Sequence, residues 1–261
     1  MKEGGIVLSC HLYNMPFSNI DTLYRQLSNI SGQAYIYVKQ AILINNKHDY
    51  LYASFYDIKK SSNIIFGSFG FQYIDSEFNI ERNTVEKRKR TNTIDFAIFN
   101  YRNKTYLCIF SSKTRILIEE LERKLYGNYQ ARITIVYITR EQLRNIIDHI
   151  PHRAYGTAFD GLRDINGWSK LHVFGSNVEQ PPEYSQFSER SIEPDKDYFY
   201  ADFRYKNKKG ETYKFRIIRK SSSSSKISDT LTILCYNISA TEPDKIFLIE
   251  YIKNNILSNI V

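Results

Sequence analysis

Cysteine, glycine, proline and tryptophan are all scarce in this chain: three cysteines, eleven glycines, six prolines and one tryptophan in 261 residues. The cysteines (Cys10, Cys108, Cys235) stand far apart without a CxxC pair, which excludes a disulfide-stapled mini-fold and a zinc module and fits a reducing compartment. Cys108 and Cys235 lie in the apolar runs YLCIF and TILCYN and read as core thiols. Long hydrophobic runs are missing too. ITIVYI and IFLIEYI, the longest, fall far short of the roughly 20 residues of a membrane span. Only a few apolar residues precede Cys10, too few for a signal-peptide core. No membrane partner is expected, and the expected compartment is the cytoplasm. Walker, dinucleotide-fingerprint, GxSxG and HExxH motifs are all lacking, so ATP-, NAD- and zinc-driven chemistry has no support.

What is present is an ordinary globular balance, 42% hydrophobic and 25% charged, which excludes wholesale disorder. Aromatic residues reach 15%, chiefly 21 tyrosines and 16 phenylalanines. Many alternate, as at Tyr50, Tyr52 and Tyr56, a period that belongs to β-strands. Abundant Ile, Asn, Lys and Tyr with few Ala, Gly and Pro is the composition of AT-rich coding sequences, such as those of low-GC bacteria, mobile elements and viruses. The net charge is +8. Residues 1–80 hold six basic and six acidic side chains, residues 81–180 seventeen against eleven, and residues 181–261 thirteen against eleven. The excess enters after residue 80. A basic surface attracts polyanions, because each neutralised phosphate releases counterions.

Along the chain, GIVLSCHLY (5–13) reads as a strand and 19–30 as a helix capped by Ser18, with Ile20, Leu23, Leu27 and Ile30 on one face. Residues 34–58 alternate around a turn at NNKHD. Gly67 and Gly70 mark bends in the next strand region. TIDFAIF and TYLCIFS form a hairpin about NYRNK, followed by a helix over 114–126 and a buried strand at 131–138. A helix over 140–150 starts at a Thr139–Gln142 capping box. Residues 152–195 loosen into a connector. DYFYADFRY, ETYKFRIIR and TLTILCYNI are further strands before a closing helix near 243–258. The expected fold is α+β: mostly antiparallel hairpins with three to four helices packed on one sheet face, in two possible subdomains. The expected boundaries are 1–151 for an N-terminal α+β domain, 152–195 for the connector and 196–261 for a β-rich subdomain.

Two basic stretches stand out. Residues 204–226, RYKNKKGETYKFRIIRKSSSSSK, carry nine Lys/Arg against the single acid Glu211. In a hairpin, Lys214 and Arg216 share one face and alternate with Phe215 and Ile217 on the other. Lys206, Lys208 and Lys209 crowd the turn, and Arg219 and Lys220 lead into the serines. Such a ribbon suits phosphate contact or groove entry, with Tyr205 and Tyr213 available to stack on bases. The plainer alternative is an edge hairpin whose lysines prevent aggregation. The second stretch, EKRKR, places Lys87, Arg88, Lys89 and Arg90 in an expected loop, where they either extend the same surface or are simply solvated. FNYRNKTY (99–106) and FRYKNKKGETY (203–213) echo each other, a match that compositional bias explains.

Enzymatic signals are thinner. Asp95 followed by CIFSSK, ending in Lys113, has an outline similar to metal-dependent nucleases of the PD-(D/E)xK type. In those sites two carboxylates hold Mg²⁺ or Mn²⁺ and a lysine steadies the transition state. Ser111 stands where the second acid belongs, so Glu119 or Glu120 would have to supply it. His149, His152 and Asp148 (DHIPH) form a weak metal-binding pattern broken by Pro151, and no metal or cofactor is expected outside the nuclease reading. The leading expectation is a basic DNA- or RNA-binding protein of a mobile element, virus or defence system. The alternatives are a nuclease using Asp95, Lys113 and Glu119, and a protein-interaction subunit or homo-oligomer with tyrosines at its interface.

Overall fold

The computed structural model describes residues 7–17, 19–44, 47–81, 83–128, 130, 132–149, 154–160, 170–174, 198–206, 212–220, 230–236 and 241–260. Most of them are strands in mostly antiparallel sheet, and helices are the lesser part. The expected α+β arrangement, with three to four helices packed on one sheet face, is thereby overturned. Helical stripes are conspicuous in the sequence and draw more weight than their share of the chain. The long runs that carry most of the chain alternate with period two, and that period builds sheet. The chain divides into two compact units, Met1–Leu12 with Ile135–Val261 and Tyr13–Thr134.

In the unit Tyr13–Thr134, five strands follow one another in both chain and sheet order: β2 (Tyr35–Ile44), β3 (Lys47–Ser61), β4 (Ile64–Asn79), β5 (Thr84–Tyr101) and β6 (Lys104–Ile109). Helix α1 (Ile20–Ile30) buries Ile20, Leu23 and Leu27 of the expected stripe and leaves Ile30 half-buried. Its cap is Asn19, whose side-chain oxygen accepts the backbone N–H of Asp21 at 2.9 Å and Thr22 at 3.0 Å. The expected cap, Ser18, falls outside the described residues. Helix α2 (Thr114–Tyr126) occupies the expected range, buries Leu117, Ile118 and Leu121, and ends at Gly127 in the left-handed region at φ 81°. The expected bend at Gly67 lies across the ladder instead. β4 runs regularly there, and its partner β3 carries the irregularity between Tyr56 and Lys59, with Asp57 at φ 52°. Gly67 is required by space, since a Cβ there would meet Ile58 Cδ1 at 2.5 Å and Phe96 Cζ at 2.6 Å. Arg102 and Asn103, at φ 45° and 62°, close a two-residue β5–β6 turn between Tyr101 and Lys104.

The unit Met1–Leu12 with Ile135–Val261 orders its strands β1 (Val7–Met15), β12 (Thr230–Tyr236), β11 (Thr212–Lys220), β10 (Tyr198–Lys206), β8 (Ala154–Asp160), β9 (Lys170–Phe174). Two of these strands arise inside the stretch expected as a loose connector. The expected strand at 131–138 shrinks to β7 (Thr134–Ile135). Past it, Val136 N–H donates to the Leu12 carbonyl at 3.0 Å, and Leu231 N–H donates to the Val136 carbonyl at 3.2 Å. Helix α3 (Arg140–His149) begins at the expected capping box: Thr139 N–H to Gln142 Oε1 at 2.9 Å and Gln142 N–H to Thr139 Oγ1 at 3.1 Å. Helix α4 (Glu242–Tyr251) opens with a second capping box, Thr241 with Asp244, and runs on into a π turn. Phe247 and Tyr251 of α4 cover β11. The ring of Phe215 stacks on Tyr251 with centroids 4.0 Å apart, and Tyr213 packs on Phe247 at 4.7 Å. Cys235 is fully buried and free, so the core-thiol expectation holds there, and burial pushes its pKa up to about 12.

Candidate nucleic-acid interface

The hairpin expected from residues 204–226 exists as β10 and β11, in register from Tyr200↔Ile218 to Lys206↔Thr212. Alternation along β11 is as expected. Phe203, Phe215 and Ile217 are fully buried, while Lys214 is exposed and Arg216 half-buried between them in sequence. Lys214 has Arg204 as its register partner, and Arg216 has Asp202. Two expectations are corrected. The hairpin is not a free ribbon, because β11 also pairs with β12 from Lys214↔Tyr236 to Lys220↔Thr230, and β10 also pairs with β8. These flanking ladders reach Phe203 on β10 and Lys214 on β11, so over that length neither strand is an edge for its lysines to guard. Tyr213 has one ring face taken up by Phe247. Lys208 and Lys209 lie outside the described residues. Lys206, Arg219 and Lys220 lie on described strands, their side chains outside the description.

Lys87, Arg88, Lys89 and Arg90 sit on β5, not in a loop. A strand cannot present four consecutive side chains together, so alternation sorts them two and two. Arg88 and Arg90 meet a row of acids. Arg88 bonds Glu86 at 2.9 Å and approaches Glu77 at 3.6 Å, while Arg90 bonds Asp75 at 2.6 Å and approaches Glu77 at 3.7 Å. Glu86 and Glu77, acting on Arg88, hold its pKa above the ordinary guanidinium range. Lys89, on the other face, bonds Asp49 at 2.5 Å and lies 5.8 Å from the Tyr52 ring centre. Lys89 and the backbone N–H of Tyr50 together hold the Asp49 carboxyl below its ordinary range. Lys87 has no ion-pair partner among the described residues.

The nuclease-like residues do not converge. Asp95 on β5 accepts the Ser68 hydroxyl at 2.7 Å. Lys113 precedes α2, and its ammonium lies 5.0 Å from the ring centre of Tyr73. Glu119 is bound to Arg115 at 2.7 Å. Among the described residues no three His, Cys, Asp or Glu side chains are grouped to hold a metal ion. His149 Nδ1 donates to the Asn145 carbonyl of its own helix at 2.8 Å, and His152 lies outside the described residues.

Glu120, the other carboxylate considered for that centre, is committed elsewhere. One oxygen accepts the Tyr35 hydroxyl at 2.9 Å and the other bonds Arg123. Lys124 caps the Tyr35 ring, its ammonium 3.5 Å from the ring centre. Burial first, and then the Glu120 charge, hold the Tyr35 phenol well above its ordinary pKa, so the proton stays on tyrosine. A cavity of about 580 Å³ opens here between Tyr35–Tyr37 and the end of α2. Two residues on, buried Glu122 accepts the backbone N–H of Gln130 at 2.8 Å and of Ile133 at 2.6 Å and ties down the chain after α2. Both glutamates interrupt an otherwise apolar helix face, the one signal in the sequence that could have flagged them.

No family model matches the chain, nor does any curated protein or solved structure. No helix among the described residues is long and apolar enough to cross a membrane.

Proposed function

We propose that the protein binds nucleic acid by phosphate contact, with the Lys214 face of β11 as a principal surface. One observation carries the reading: the strand that seats Phe215 and Ile217 under α4 turns Lys214 and Arg216 to its opposite side. In backbone register Arg204 is the partner of Lys214 and Asp202 that of Arg216. A sheet face of this kind meets phosphates side-on and needs no groove. A net charge of +8 supports the same reading, because it gives long-range attraction to a polyanion. The nuclease alternative is not favoured, since its three residues are bound to separate partners.

The test is a titration of labelled single- and double-stranded DNA and RNA at two salt concentrations, with and without Mg²⁺, with the products run on a gel. Wild type is expected to bind in a salt-sensitive manner and to leave the strands intact. The double variant Lys214→Gln, Arg216→Gln should bind more weakly, its salt slope shallower by about 0.9 for each B-DNA phosphate it no longer neutralises. Unchanged affinity in a folded double variant removes this face from the reading. Cleavage that requires Mg²⁺ replaces it with the nuclease.

A further inference from the structure

The β4–β5 hairpin outruns its neighbours. β3 pairs with β4 only from Ala53↔Phe71 to Ser61↔Ile64, and β6 pairs with β5 only from Phe96 to Tyr101. The β4–β5 ladder nevertheless continues from Gln72↔Thr91 to Asn79↔Thr84, eight further register pairs. At about 3.4 Å per residue these pairs span about 25 Å; β2 and β3 touch the inner ones at Gln72 and Lys89, and the outer ones form a two-stranded arm. Its two faces differ. One carries Tyr73, Asp75 and Glu77 opposite Arg90, Arg88 and Glu86, and neutralises itself through ion pairs. The other carries Ile74, Ser76 and Phe78 opposite Lys89, Lys87 and Val85; the charges of these two strands on it are positive, and Lys89 is paired with Asp49 of β3. At the tip Phe78 is 56% exposed, Val85 61% and Ile80 84%. Three of the seven large hydrophobic residues exposed in the described chain are thus gathered at the end of one arm. A two-stranded ribbon with an apolar end is marginal in water and gains from being covered.

We infer that this arm enters the minor groove of a nucleic-acid duplex, Lys87 and Lys89 meeting the backbone while Phe78, Ile80 and Val85 wedge against a base step. The inference rests on the proposed nucleic-acid binding and names a duplex as the target. Charge decides the occupant. A second copy of the chain laid on this face would set lysine against lysine, whereas a phosphate backbone complements both. Apolar side chains inserted at a base step unstack it and kink the duplex by about 20–90°, which brings more phosphate within reach of the cationic rows. Lys89 is held by Asp49 in the free protein and exchanges that carboxylate for phosphate on binding.

The experiment uses the full chain and a duplex with end-attached fluorophores and an internal 2-aminopurine. Wild type should shorten the end-to-end distance and brighten the 2-aminopurine as the step unstacks. The variant Phe78→Ser, Ile80→Ser, Val85→Ser changes only exposed positions, so it should fold and still bind, with affinity reduced less than about tenfold, yet leave the duplex straight and stacked. Equal bending by wild type and variant overturns the inference. Wild type that binds duplex without bending overturns it while nucleic-acid binding stands. Wild type that binds no nucleic acid removes both readings. A wild-type dimer that the tip variant converts to monomer assigns the tip to a second copy and overturns the inference.

Discussion

The β10–β11 and β4–β5 hairpins are built from similar material, alternating aromatic, aliphatic and basic residues, and end in opposite environments. β11 lies between two paired strands and under α4, so its Phe215 and Ile217 are fully buried and the cations on its other side are fixed by a rigid support. The outer part of β4–β5 has no third strand in its ladder among the described residues, and its contacts with β3 stop at Lys89. There the same alternation leaves Phe78 and Val85 exposed. Periodicity decides which residues share a face. Neighbouring strands and helices decide whether that face becomes core or contact surface.

The largest effect expected from this contrast is on stability. Phe215→Ala removes a fully buried ring stacked on Tyr251 and should cost about 3–5 kcal/mol, whereas Phe78→Ala on the arm should cost about 0.5 kcal/mol or less. Urea unfolding of the two variants side by side measures the difference. Equal losses would mean that the arm is packed against something that holds it in the folded protein, and the contrast between the hairpins would collapse.

The first half of this contrast is legible in the sequence and the second half is hidden. The order of strands around 95–113, the range of α2, the Thr139–Gln142 box and the Lys214/Arg216 alternation can all be read locally, because each depends on residues close together in the chain. The EKRKR run reads as a loop because four consecutive cations look like a solvated turn. What makes them a strand is the complementary row Asp75–Glu77, about a dozen residues upstream, met only once the register is known. Strand β8, on which β9 is paired in turn, escapes a local reading for a related reason, since its partner β10 lies far along the chain. Spacing alone offers Glu120 only as a metal ligand. Its true partner Tyr35 is 85 residues away, a distance no spacing rule spans.

A gain of binding would sharpen the comparison on the arm's cationic side. Asp49 holds Lys89, and its carboxyl pKa is depressed mainly by that bond. Because the folded pKa lies below the unfolded one, the bond contributes at neutral pH and is lost as pH falls through the folded value. Asp49→Asn makes that loss permanent at neutral pH. Lys89 then meets phosphate without first giving up a carboxylate, so duplex affinity should rise and the salt slope should steepen by up to about 0.9. No equivalent gain is expected from any change on the face opposite, where Arg88 and Arg90 share three acids. Unaltered affinity and slope in Asp49→Asn would take Lys89 out of the contact.

The smallest effect belongs to that opposite face. Glu77 stands between Arg88 and Arg90, within 3.6 Å of one and 3.7 Å of the other, and all three are well exposed. Glu77→Gln leaves Arg88 with Glu86 and Arg90 with Asp75, so thermal unfolding should move only marginally, and high salt should erase even that shift. The same variant adds one positive charge to the arm as a whole, and non-specific duplex binding at low salt should tighten slightly. Bending should not change, because the wedge sits on the other side of the ribbon. If Glu77→Gln weakens bending as strongly as the serine variant of the tip, the two faces of the arm act as one unit, and strand alternation is then not what divides structure from contact in this hairpin.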